Sequence, residues 1–141
     1  MKYINTLFSA LILSTISTSS LANQLTPEFV LNEIDVAQKH YMCDSPEAAK
    51  SALQTLARLL ESDQSLALLD KIGPDNLAFT YARLGLVYEN SGDNLKASDY
   101  KAKAVSLMQR HLSEVDWEGM KQLIQFFDSN LKKRDDSVKC S

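Results

Sequence analysis

From residue 26 onward, apolar positions recur at steps of three and four, and no stretch alternates with the period of two that a half-buried strand requires. Thr26-Pro27-Glu28 reads as an N-cap, a proline at the first helical position and an acid in the first turn. Phe29, Val30, Ile34, Ala37 and Tyr41 then follow at helical spacing. Ser45-Pro46-Glu47 repeats the start signal ahead of Ala48, Ala49, Ala52, Leu53, Leu56, Leu59 and Leu60. The two predicted helices, 27–42 and 46–62, are joined by so short a turn that they form an antiparallel hairpin.

A shorter apolar helix over 64–72 stops at Gly73-Pro74. Asp75-Asn76 caps a helix over 77–91 with Leu77, Tyr81, Leu84 and Tyr88 along one face, and Gly92 suits the left-handed position that ends it. Asp93-Asn94 restarts the chain into a helix over 95–112, with Ala97, Ala104, Leu107 and Leu112 inward. The last helix begins near Asp116, and Trp117, Met120, Ile124, Phe127 and Leu131 mark its apolar stripe. Leu123 and Phe126 widen that stripe, so this helix is expected to bury a broad face. The fold class is therefore all-α: antiparallel helical hairpins, about six helices, and a C-terminal capping helix.

The first residues have a different character. Lys2 precedes a short apolar run over 4–16 diluted by Ser and Thr, and Ser20-Leu21-Ala22 places small residues where a signal peptidase reads. Residues 1–22 are expected to be a cleavable signal peptide. That leaves one domain over 23–141, ending in a short polar tail at 132–141. The run is shorter and more polar than the about 20 apolar residues of a membrane-spanning helix, and no second such run follows, so no span is expected after cleavage. An uncleaved N-terminal anchor is the alternative. Asn23, not Cys, follows the cut, which argues against lipid anchoring. The expected location is outside the cytoplasm, with a Gram-negative periplasm preferred over the extracellular medium.

Lys2 is the only charged residue of the first 22, so the exported part carries a formal charge one unit more negative than the −3 of the whole chain. Nucleic acid is not an expected partner, because phosphate recognition needs a basic stripe. Lys132-Lys133-Arg134 is followed at once by Asp135-Asp136 and fits a solvated helix end. Cys43 and Cys140 are an even count in a chain bound for an oxidising compartment. Paired within one molecule, they would tie the turn after the first helix to the C-terminus. Chain entropy assigns such a loop of about 100 residues an upper figure of roughly 4.7 kcal/mol. An intermolecular bridge and two free thiols are the alternatives. No C-x-x-C motif is present.

From Tyr81 to Ala104 the chain resembles a tetratricopeptide repeat, a helix–turn–helix unit of 34 residues in that family. The resemblance rests on Tyr81, Leu84, Gly85, Tyr88, Ala97 and Ala104, at the family's offsets for aromatic, Leu-Gly, aromatic and two small residues. It implies that Gly85 and Ala97 let two helices approach closely while the tyrosines fill the space between turns. Lys101 departs from the pattern, which prefers a large apolar residue there, and Tyr100 sits one position early. The first hairpin lacks the Leu-Gly pair and the aromatics, so the chain reads as one good repeat, one degenerate helix pair and a capping helix. A generic helical bundle is the competing architecture.

The resemblance further implies that Phe79, Ala82, Arg83, Leu86, Glu89 and Asn90 face a concave surface. Family members that grip carboxylate tails carry Lys and Asn at the places of Ala82 and Leu86, so that mode is not expected. An apolar groove for a segment of another protein is expected instead, unless the preceding hairpin or the last helix covers it. Catalytic signatures are sparse. His40 and His111 stand near predicted helix ends, and Glu114, Asp116 and Glu118 straddle the start of the last helix, where negative charge is favourable. No metal-ligand spacing, nucleophile elbow or phosphate loop occurs, and no cofactor or enzyme activity is expected. The expected function is an exported protein–protein interaction module, an adaptor or assembly or neutralising partner for another envelope or secreted protein. The alternative is a small-ligand-binding or structural envelope protein with a pocket lined by Tyr81, Tyr88 and Trp117. The last helix also offers a contact for homo-oligomers through Trp117, Phe126 and Phe127.

Overall fold

The computed structural model describes residues 24–134 and Cys140; the expected signal peptide and most of the polar tail lie outside these residues. Among the described residues the chain is all-helical, with no strand. Seven helices follow in order: α1 (Pro27–Cys43), α2 (Pro46–Leu60), α3 (Asp63–Leu66), α4 (Leu69–Ile72), α5 (Asn76–Asn90), α6 (Asn94–Met108) and α7 (Trp117–Arg134).

The first hairpin forms as its caps dictate. Thr26 Oγ1 accepts the Phe29 N–H and Ser45 Oγ accepts the Ala48 N–H, each just before a proline that needs no donor partner. α1 buries Val30, Ile34 and Ala37, while α2 buries Ala49, Leu53, Leu56, Ala57 and Leu60 and packs against both α1 and α5.

The helix expected over 64–72 is two short helices. Ser65 is fully buried and donates its hydroxyl to the Leu59 carbonyl at 2.7 Å, which ties α3 to the end of α2. The chain leaves the helical ladder at Leu68, and α4 buries Ile72 and packs on α1. α5 also starts differently from the sequence reading. Asp75 makes no side-chain cap; Asn76 donates backwards to the carbonyls of Ile72 at 2.5 Å and Gly73 at 3.3 Å.

α5 and α6 make the most extensive helix pairing in the molecule. Their turn is a Schellman cap: the Asp93 N–H reaches the Tyr88 carbonyl at 3.0 Å and the Gly92 N–H the Glu89 carbonyl at 3.0 Å. Gly92 takes φ +79, the left-handed conformation that this cap requires. α6 stops at Met108, not near residue 112. Its end tightens into i→i−3 bonds, Arg110 to Leu107 and His111 to Met108, and Leu112, expected inward, is left 48 % exposed.

Asp116 Oδ1 accepts the Gly119 N–H at 2.8 Å and opens α7, whose Met120 and Ile124 are buried against α5 and α6. The buried stripe of α7 is narrower than its sequence predicts, because Phe126 and Phe127, both expected in it, are exposed. One core joins Val30, Leu53, Leu84, Met108, Met120 and Ile124 from five different helices. Cys43 and Cys140 are joined by an intramolecular disulfide, with Cα atoms 5.1 Å apart across 97 residues of sequence. It fastens the segment after α7 to the C-terminal end of α1.

Candidate functional site

α5 is the central helix, with contacts to α2, α6 and α7. On its α6 side, Tyr81, Leu84, Gly85, Tyr88, Ala97 and Ala104 are all buried. A Cβ on Gly85 would stand 3.0 Å from Lys101 Cγ and 3.5 Å from the Trp117 ring, so glycine sets how closely three helices meet. Tyr100 lies between the rings of Tyr81 and Tyr88, with centroids 5.7 and 5.6 Å away, and is stacked on the second. Tyr100, one position before Lys101, thus fills the space between the two tyrosines of α5. Lys101 turns the other way: its stem packs on Gly85, its ammonium lies 5.1 Å from the Trp117 centroid, and it pairs with Glu89. The Tyr81 hydroxyl donates to Glu61, and burial, then this bond to a carboxylate, holds its pKa above the ordinary tyrosine range.

The other side of α5 carries the face expected to be a groove, and α7 lies over part of it. Ala82 is fully buried and Arg83 is 4 % exposed. Phe79 and Leu86 are half-buried, and the Phe79 ring meets Phe127 edge-on at 5.1 Å. Asn90 is exposed at the end of the helix. Glu89 leaves the set, drawn to Lys101 on the α6 side. These six positions therefore form no continuous open channel, and Ala82 and Arg83 are covered.

What covers it is specific. Arg83 Nη2 donates to Asp128 Oδ1 of α7 at 2.6 Å, and the guanidinium carbon lies 5.6 Å from the Tyr41 ring of α1. Its Nε is buried with no hydrogen-bond partner among the described residues. Burial, and next the Asp128 charge, push the Tyr41 hydroxyl pKa upward, while Arg83 opposes them. Asp128 had no role in the sequence reading, and Tyr41 figured there only in the apolar stripe of the first helix. A cation on an otherwise buried helix face was the one signal that could have prompted a search for its anion.

Beside this tie the surface turns apolar. Phe79, Phe127 and Phe126 run edge-to-face across the α5–α7 seam, with the second contact at 5.6 Å. Phe127 is 41 % and Phe126 62 % exposed. Other clefts lie elsewhere. One of about 330 Å³ gathers Tyr41, Asp44, Asn90, Asp128 and Lys132 near the ends of α1, α5 and α7. Another of about 560 Å³ lies between α6 and α7, lined by Ala97, Lys101, Val105 and Trp117. Tyr81 and Tyr88 do not line it.

The histidines stand at helix ends, His40 Nδ1 2.5 Å from Asp44 Oδ2 and His111 Nε2 3.6 Å from Asp75 Oδ1. Of the acids near residue 116, Asp116 caps α7 and Glu118 pairs with Lys121. Among the described residues no group of three or more His, Cys, Asp or Glu is placed to hold a metal ion, and no helix is long and apolar enough to cross a membrane. Comparison with known proteins finds no matching family model, no matching curated protein and no matching solved structure.

Proposed function

We propose that this chain is an exported protein-binding module whose contact surface is the aromatic ridge Phe79–Phe127–Phe126 on the α5–α7 seam. The observation that carries the reading is the exposure of Phe126 and Phe127 in one edge-to-face series. Aromatic side chains lose little conformational entropy on docking and bury large areas, so they anchor protein interfaces more often than their abundance would predict. The partner is another envelope or secreted protein that presents an apolar segment.

Export rests on Lys2, the run over 4–16 and Ser20-Leu21-Ala22, and the intramolecular disulfide agrees with an oxidising compartment such as the periplasm. The α5–α6 pair is read as a tetratricopeptide-like unit, supported by the burial of its six marker residues and the close approach at Gly85. In this reading α7 acts as the capping helix, shielding one end of the stack and carrying the binding ridge.

Crosslinking of tagged protein in its native envelope, followed by mass spectrometry, tests the proposal. One dominant partner is expected, lost in Phe126→Glu with circular dichroism unchanged. A partner equally retained by that variant would remove the ridge from the account.

A further inference from the structure

Between α2 and α6 the chain gathers cations over a row of aromatic rings. Both helices pack on α5, and the furrow between them is floored by the ring series Tyr81–Tyr100–Tyr88. Lys50, Gln54 and Arg58 recur at steps of four on α2 and so share one face. Lys96, Tyr100 and Lys103 share a face of α6 in the same way. The Lys50 and Lys96 ammoniums, one from each wall, both lie 5.2 Å from the Tyr88 centroid, which puts them at most about 10 Å apart. Gln54 Nε2 donates to the Tyr88 hydroxyl at 2.8 Å. Farther along, Arg58 and Lys103 line a cleft of about 270 Å³ together with Tyr81, Tyr100 and Glu61.

These charges are not balanced within the chain. Among the described residues Lys50 and Arg58 make no ion pair, and Arg58 reaches only Thr55 Oγ1, at 3.4 Å. Lys96 and Lys103 pair with Asp93 and Asp99, in exposed contacts that water weakens. Four cations thus converge on three tyrosines in a chain whose formal charge is −3. The geometry points to this furrow as a docking channel for an extended, acidic segment of another protein, with one carboxylate between Lys50 and Lys96 and a second at Arg58. Spacing sets the register. Lys50 and Arg58 are about 12 Å apart along α2, a span that an extended chain covers in about four residues. Acids at i and i+4 fall on the same side of such a chain and reach both places. A single small anion is too short to do so. Nucleic acid fits less well, because Asp93 and Asp99 stand beside the lysines and Glu61 lines the cleft. Those acids would oppose a phosphate at every nucleotide, whereas spaced carboxylates pass between them. The furrow is separate from the α5–α7 ridge, and the inference does not rest on the proposed function.

Titrating the purified protein into a short fluorescent peptide of Gly, Ser and Thr with glutamates at i and i+4, followed by anisotropy, tests it. Saturable binding is expected, weaker in raised salt and lost when both glutamates are replaced by glutamine. Lys50→Glu and Arg58→Glu are each expected to raise the dissociation constant at least about fivefold, with circular dichroism unchanged. Lys71→Glu on α4, the same charge change outside the furrow, is expected to leave it unaltered. Moving the second glutamate to i+5 is expected to weaken binding, because that side chain then faces away. No saturable binding at millimolar protein overturns the inference. So does equal weakening by all three variants, which would mean attraction without a site. A single-stranded oligonucleotide held more tightly than the peptide through Lys50 and Arg58 gives the furrow to phosphate and likewise overturns it.

Discussion

Arg83 of α5 and Asp128 of α7 meet at 2.6 Å, and their side chains are only 5 % and 16 % exposed. The pair decides what the α7-facing side of α5 becomes. With its charge matched and its guanidinium set against the Tyr41 ring, Arg83 joins α1, α5 and α7, and α5 is covered at Ala82 and Arg83 themselves.

Removing the anion is therefore expected to be costly. Asp128→Ala strands a buried guanidinium, and breaking such a pair destabilises by about 3 kcal/mol. The double variant Arg83→Met, Asp128→Leu is expected to recover most of that, because two apolar side chains demand no pairing. Urea midpoints of the two variants and the natural protein, compared at equal slope, check the ordering. An Asp128→Ala effect below about 1 kcal/mol would show that the pair is solvated.

The helices and most of their caps were legible in the sequence, because period and cap are both local. Thr26, Ser45, Asp93 and Gly92 act within four residues of the helix ends they set. The break at 67–68 was not legible, since it follows from Ser65 reaching the end of a different helix. The covering of Arg83 was hidden for the same reason: its anion stands 45 residues away. The outward turn of Phe126 was equally hidden. Positions 126 and 127 both border the stripe, and it is Phe127 that Phe79 meets across the seam. Tyr100 shows the converse: its position one place early was visible, and its seat between two tyrosines follows from the α5–α6 approach at Gly85.

Gly92 offers a clean backbone test. A Cβ there would meet nothing within 4 Å, so Gly92→Ala adds no clash and pays only for φ +79. The expected loss is about 1 kcal/mol, with Gly92→Asn less harmful because asparagine tolerates the left-handed region. Thermal unfolding of both variants reads the difference.

The disulfide closes nearly the whole domain, and its entropic contribution acts on the unfolded chain. Cys43→Ser with Cys140→Ser is expected to lower stability by about 2–4 kcal/mol while helical content at low temperature is kept. Urea unfolding followed by circular dichroism checks both halves of that statement. Loss of helicity in buffer would mean that α7 depends on the bridge to stay docked.

Tyr41 and Tyr81 both have pKa values raised above the ordinary value of 10.0, chiefly by burial. Above that value the unfolded phenols ionise while the folded ones keep their protons, so the native state binds more protons. Stability is then complete below about pH 10 and falls as pH rises further. Unfolding free energies across that range should decline, and Tyr41→Phe should make the decline shallower. A Tyr41→Phe profile of unchanged slope would show that the Tyr41 phenol ionises freely in the folded state.

The most direct test of the proposed binding surface replaces Phe126 with a photoreactive phenylalanine analogue and irradiates cells that produce the protein. Leu95 on α6, 85 % exposed, serves as the control position on a different surface. The account predicts a covalent adduct with one envelope protein from position 126 and none from position 95. Adducts of equal yield from both positions, or none from 126, would contradict it.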